Sequence, residues 1–189
     1  MKFRSVAIAL AMTLVAAGLS SAKDSTGEKR DKIRKMTSQT LADLYKLHPA
    51  AQAAVEKSAG YAVFSNLGVN LLLVSTARGG GMAVNSANKQ ETFMRMISVG
   101  AGIGAGVKDF RAIFVFETEK ALTGFINSGW DAGGQADAAA KVGDAGGAYS
   151  GATSVAPGVW AYQITKNGLA LQATLQGTKY SKDDDLNKP

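Results

Sequence analysis

The chain has 189 residues, no cysteine, 21 basic against 15 acidic residues and a formal net charge of +6. That length suits one domain of ordinary size. The missing cysteines exclude a disulfide-held scaffold, so burial of apolar surface has to hold the fold together.

Residues 1–22 read as a targeting segment. Lys2 and Arg4 make a short basic start, Val6 to Leu19 is an apolar run, and Ser20-Ser21-Ala22 places small residues before a cleavage point. The run falls short of the ~20 apolar residues a spanning helix needs. Cleavage after Ala22 and a periplasmic location are therefore expected, and with no cysteine after the run, lipoprotein processing is excluded. The mature chain keeps 19 basic and 15 acidic residues, a net +4. A modest positive charge favours anionic partners, membrane surfaces among them, without naming one. No nucleic acid partner is expected.

Lys23 to Arg30 is polar and reads as a loose lead-in. From Asp31 the pattern is helical: Ile33, Met36, Thr37, Thr40, Leu41, Leu44 and Leu47 fall on one stripe. Pro49 ends that helix and suits the first turn of another, Pro49 to Ser58, closed by Gly60. Beyond Gly60 the period shortens. Tyr61 to Asn66 and Gly68 to Ala77 read as strands, interrupted by Arg78-Gly79-Gly80-Gly81. Met82 to Asn85 continues, Ser86 to Gln90 turns, and Glu91 onward extends again. Phe110 to Phe116 is a further strand and Thr118 to Asn127 a short helix. Val159 to Thr165 and Leu169 to Gln176 flank Lys166-Asn167-Gly168, a hairpin signal. Periodicity leaves Trp130 to Gly147 open between helix and strand.

Glycine recurs at Gly100, Gly102, Gly104 and Gly106. These letters satisfy a dinucleotide fingerprint, but that chemistry needs a helix to begin at the glycines, and here a strand follows. A spacing of two instead puts all four on one face of a strand. A bare face of that kind suits a sharp bend or a close neighbour. Their role, like that of Gly79 and Gly80, is read as structural.

No constellation carries catalysis. His48 is the only histidine, so histidine-based dyads and histidine-rich metal sites lack partners. No nucleophile-elbow context surrounds any serine. Asp183-Asp184-Asp185 lacks the spacing of a calcium loop and reads as a solvated run. No enzyme activity, cofactor or metal is expected.

The basic residues Lys29, Arg30, Lys32, Arg34 and Lys35 crowd the start of the first helix beside Ile33 and Met36. Such a segment either lies in a membrane interface or packs its stripe on the sheet, with the charges in solvent. Periodicity favours packing and does not exclude the interface.

Ala59-Gly60-Tyr61-Ala62-Val63-Phe64, Thr76-Ala77-Arg78-Gly79-Gly80-Gly81, the alternating glycines, the strand before Phe116 and the late Gly168-Leu169-Ala170-Leu171 follow one another in a known order. Leu175-Gln176-Gly177-Thr178 completes it. This order resembles the SYLF lipid-binding family over roughly Leu41 to Tyr180. The resemblance implies an α+β fold: one domain over 23–189, with helices packed on a strongly curved, mostly antiparallel, barrel-like sheet. It favours strand for much of Trp130 to Lys141. It also implies non-enzymatic binding of anionic phospholipid, as phosphoinositides are bound by eukaryotic relatives. Some relatives bind actin and carry an SH3 domain, which nothing in this chain matches. The candidate lipid contacts are the basic cluster Lys29, Arg30, Lys32, Arg34 and Lys35, then Arg78, which lies on the matching motif, with Lys108 and Arg111. The alternative is a structural or stress-related envelope protein acting through a protein partner.

Overall fold

A computed structural model describes residues 25–66, 76–99, 111–131, 149–165, 168–169 and 178–189. Helix α1 spans Thr26–Leu47, so it starts ahead of Asp31. The reason is a reciprocal cap that the polar lead-in conceals. The Ser25 hydroxyl accepts from the Glu28 N–H at 3.2 Å, and the Glu28 carboxylate accepts from the Ser25 N–H at 2.7 Å. The apolar stripe faces the sheet: Thr37, Thr40 and Leu44 are buried, with Ile33, Met36 and Leu41 partly so. Pro49 opens α2 (Pro49–Lys57), whose Ala51, Ala54 and Val55 are buried beside α1.

The strands are β1 (Gly60–Ser65), β2 (Thr76–Asn85), β3 (Glu91–Val99), β4 (Arg111–Phe116), β5 (Trp130–Asp131), β6 (Thr153–Ala156), β7 (Val159–Thr165), β8 (Gly168–Leu169) and β9 (Thr178–Lys182). They form one curled, half-barrel sheet in the order β5-β9-β3-β2-β1-β4-β7-β6, with β8 also on β7, and every pairing is antiparallel. The architecture is α+β in a single domain. Helices α1 and α2 cover one face through Val63, Ile113, Val115, Tyr162 and Ile164. Helix α3 (Glu119–Ser128) covers the other, where Phe64, Phe114, Phe116, Phe125, Trp130 and Tyr180 cluster. Cover on both faces explains why β1 and β4 read as unbroken apolar runs rather than alternating ones.

One expectation about the strands needs correction. The glycines after Arg78 do not interrupt a strand: β2 runs through them, paired with β1 on one side and β3 on the other. A Cβ on Gly79 or Gly81 would overlap the carbonyl oxygen of Ser65 or Val63 on β1. Glycine is what lets the two backbones approach so closely. Gly80 points the other way, and its Cβ would stand an ordinary 3.6 Å from Ile33 Cδ1. Strands β6 and β9 also went unread, because each is short; β9 buries only Thr178 and Tyr180. Trp130 and Asp131 are strand, as the resemblance implies, held antiparallel on Tyr180 and Lys179. Residues 1–24, Gly100 to Gly106 and 132–148 lie outside the described residues.

Thr118 caps α3 by accepting from the Ala121 N–H at 3.2 Å. Gly124 sits exposed in that helix, with nothing within 4 Å of the place a Cβ would take. Gly124→Ala is therefore expected to stabilise the protein by about 0.5–1 kcal/mol, seen as a rise in melting temperature.

Candidate basic surface on the first helix

The five basic residues at the start of α1 divide into two groups. Arg30 and Arg34, one turn apart, turn back onto the protein. The Arg30 Nε donates to the Leu186 carbonyl at 2.8 Å, and a terminal nitrogen donates to the Lys188 carbonyl. Arg34 donates to Glu91 and to Asp31, each at 2.8 Å. Glu91 first, then Asp31, raises the Arg34 pKa above its ordinary value. Both guanidinium groups lie over the Phe93 ring, 5.8 and 5.3 Å from its centroid. At exposed sites such contacts contribute about 0.5–1 kcal/mol each. Substituting Arg34 would thus disturb packing as well as charge.

Lys29, Lys32 and Lys35 are exposed, and their spacing of three puts them on successive turns of one side of α1. Lys46 follows Lys35 by three turns on the same side and is 78% exposed, 4.0 Å from Asp43. Sequence reading missed Lys46 because it stands far from the crowded start; the eleven-residue spacing was the available signal. Ile33 and Met36 do not accompany these lysines outward. They pack on the sheet, Ile33 beside Met82, Val84 and Phe93, and Met36 beside Leu44 and Ile113.

Arg111 opens β4 on the face that α1 covers. Its Nη1 lies 2.6 Å from Asp43 Oδ2, which joins strand to helix. Gln39, Thr40, Asp43, Lys46 and Arg111 line a shallow cleft of about 340 Å³. Arg78 stands in β2 opposite Ile97, at the end of the sheet where Arg111 also enters. Lys108 lies outside the described residues.

The other singled-out groups have structural surroundings. His48 joins α1 to α2, its N–H bonded to the Leu44 carbonyl at 2.7 Å and its ring 6.2 Å from that of Tyr162. Burial pushes the Tyr162 phenol up to about 12, so it stays neutral across the physiological range. Asp183 builds a turn by accepting from the N–H groups of Asp185 and Leu186. Among the described residues, no group of three or more metal-ligating side chains occurs, and no helix is long and apolar enough to cross a membrane.

Residues 97–189 match the model of the Ysc84 family, described as a Las17-binding protein actin regulator. Over 163 residues the chain is 31% identical to the beta cell expansion factor A of Aeromonas veronii, a match covering 85% of this chain and 60% of that protein. The chain thus spans about three fifths of the curated relative it matches. The family is one of binding and regulatory domains, with a membrane- or actin-related binding role in general. With the curled antiparallel sheet and its helices in place, the SYLF resemblance stands, carried by the match of residues 97–189 to the SYLF (Ysc84) family model.

Proposed function

We propose that this protein attaches to anionic lipid surfaces of the cell envelope, without catalysis, through the lysine side of α1. The observation that carries this reading is the exposure of Lys29, Lys32 and Lys35 together on successive turns, with Lys46 further along. Because the apolar stripe is occupied by the sheet, attachment in this form is electrostatic rather than insertive. A basic side chain near an anionic leaflet contributes about 1 kcal/mol, and the contribution fades beyond a Debye length. Glu28, Asp31 and Asp43 offset part of it. Binding is therefore weak and salt-sensitive.

Co-sedimentation with vesicles of phosphatidylcholine alone, or mixed with phosphatidylglycerol, tests this. The parent should bind the anionic vesicles, ignore the neutral ones and detach as salt rises. Replacing Lys29, Lys32 and Lys35 with glutamine should weaken binding by roughly tenfold or more and leave the melting temperature near that of the parent. Equal binding by the triple variant would move the site to Arg78, Lys108 and Arg111. A parent that binds neither vesicle would overturn the lipid reading in favour of a protein partner, the kind of role the family's description carries.

A further inference from the structure

The two halves of α1 are held differently. Thr37, Thr40 and Leu44, all in the second half, are its buried residues. The first half, up to Met36, has no buried residue. It rests on partly buried Ile33 and Met36 and on the bonds of Arg30 and Arg34. Few buried contacts and solvent-exposed polar bonds are the marks of a segment that opens at low cost.

The partner of Arg30 is a turn formed by residues 183–188, and that turn is itself docked on β3. Asn187 does most of the docking. Its Oδ1 accepts from the Phe93 N–H at 2.9 Å, and its Nδ2 donates to the carbonyls of Phe93 and Asp183, each at 2.7 Å. Leu186 packs beside Met82, Val84 and Phe93. The turn presents its carbonyl oxygens to Arg30, and Glu91 presents its carboxylate to Arg34. These oxygens are chemical stand-ins for the phosphate oxygens of an anionic lipid.

We infer that the turn 183–188 and Glu91 form a latch that stows the first half of α1, and that an anionic bilayer competes with the latch for Arg30 and Arg34. This rests on the lipid-binding reading above and adds its regulation. Two features make the released arm competent. The Ser25–Glu28 cap is internal to the helix, so it travels with the arm and favours helix again on a surface, whereas in water so short an arm frays once it leaves the sheet. Release also frees Ile33 and Met36 together with Arg30 and Arg34, which join the already exposed Lys29, Lys32 and Lys35 to give the apolar and basic faces an interfacial helix needs. The stowed state lowers the apparent affinity by the fraction of molecules that are open.

Asn187→Ala cuts three bonds of the latch and changes no charge, so it is the test. Two measurements are made on full-length protein: hydrogen exchange of amides 29–36, and co-sedimentation with phosphatidylglycerol vesicles. The variant should exchange faster over 29–36 and bind the vesicles about threefold or more tightly, as expected when the open fraction rises. In the parent, adding the vesicles should speed exchange at the Phe93 amide, which Asn187 protects, and at Leu186 and Asn187. Unchanged exchange in Asn187→Ala would overturn the latch. Faster exchange with unchanged vesicle binding would overturn the competition. A parent that binds no anionic vesicle would overturn the lipid reading itself, an outcome distinct from both.

Discussion

Gly81→Ala should be among the most damaging single-methyl changes in this protein. The new Cβ would overlap the Val63 carbonyl oxygen and come within 2.5 Å of Phe64 Cδ1. Neither neighbour can retreat easily. Val63 and Phe64 belong to β1, which is held on its far side by β4 through Ile113 and Ala112. Gly81 is held on its own far side by Met94. Ordinary overpacking costs about 1–3 kcal/mol, and a collision of backbone with backbone at a doubly paired position belongs at or above the top of that range. Gly79→Ala should behave similarly, since its Cβ meets the Ser65 carbonyl. Gly80→Ala is the control: the added methyl meets only Ile33, at 3.6 Å or more, and should leave the melt close to that of the parent. Thermal or urea melts of the three variants decide the matter. A Gly81→Ala that unfolds with the parent would show that the two strands have slack.

Phe114→Ala should cost about 3–5 kcal/mol. Phe114 is fully buried in β4, and its ring centroid lies 4.9 Å from that of Tyr180, 5.2 Å from Phe125, 5.4 Å from Trp130 and 6.0 Å from Phe64. These partners come from β9, α3, β5 and β1, so one truncation loosens four elements. The cavity cannot close by shifting any one of them. The urea midpoint should fall with little change in slope, and the emission of Trp130 should change in the folded baseline. A loss below about 1 kcal/mol would mean that the cluster repacks freely, against the density expected of such a core.

What was legible in the sequence follows from how local each determinant is. Pro49 and Thr118 act on their own turn, so both helix starts were readable. Val63, Phe64, Ile113 and Phe114 are apolar whichever face they take, so β1 and β4 were readable too. Ser25 and Glu28 were equally local, but the polar run around them hid the cap. The glycines after Arg78 were read as a break because glycine has low strand propensity. What decides there is pairing with two neighbours, which no window of β2 contains. The split among the basic residues was invisible for the same reason. Nothing near Arg30 or Arg34 reveals that Glu91, Phe93 and the carbonyls of Leu186 and Lys188 stand beside them.

The position of β9 bears on how the molecule is made. Although latest in sequence among the strands, it lies inside the sheet, with Tyr180 paired to Met96 on one side and to Trp130 on the other. Among the described residues, β9 is the strand that pairs the outer edge of β3 and the strand on which β5 rests. Contacts of such long sequence separation form slowly, because loop closure precedes any gain. The described sheet is therefore completed only once residues 178–182 have been made. A chain whose sheet closes this late would suit the export proposed for this protein, with residues 1–22 as its leader.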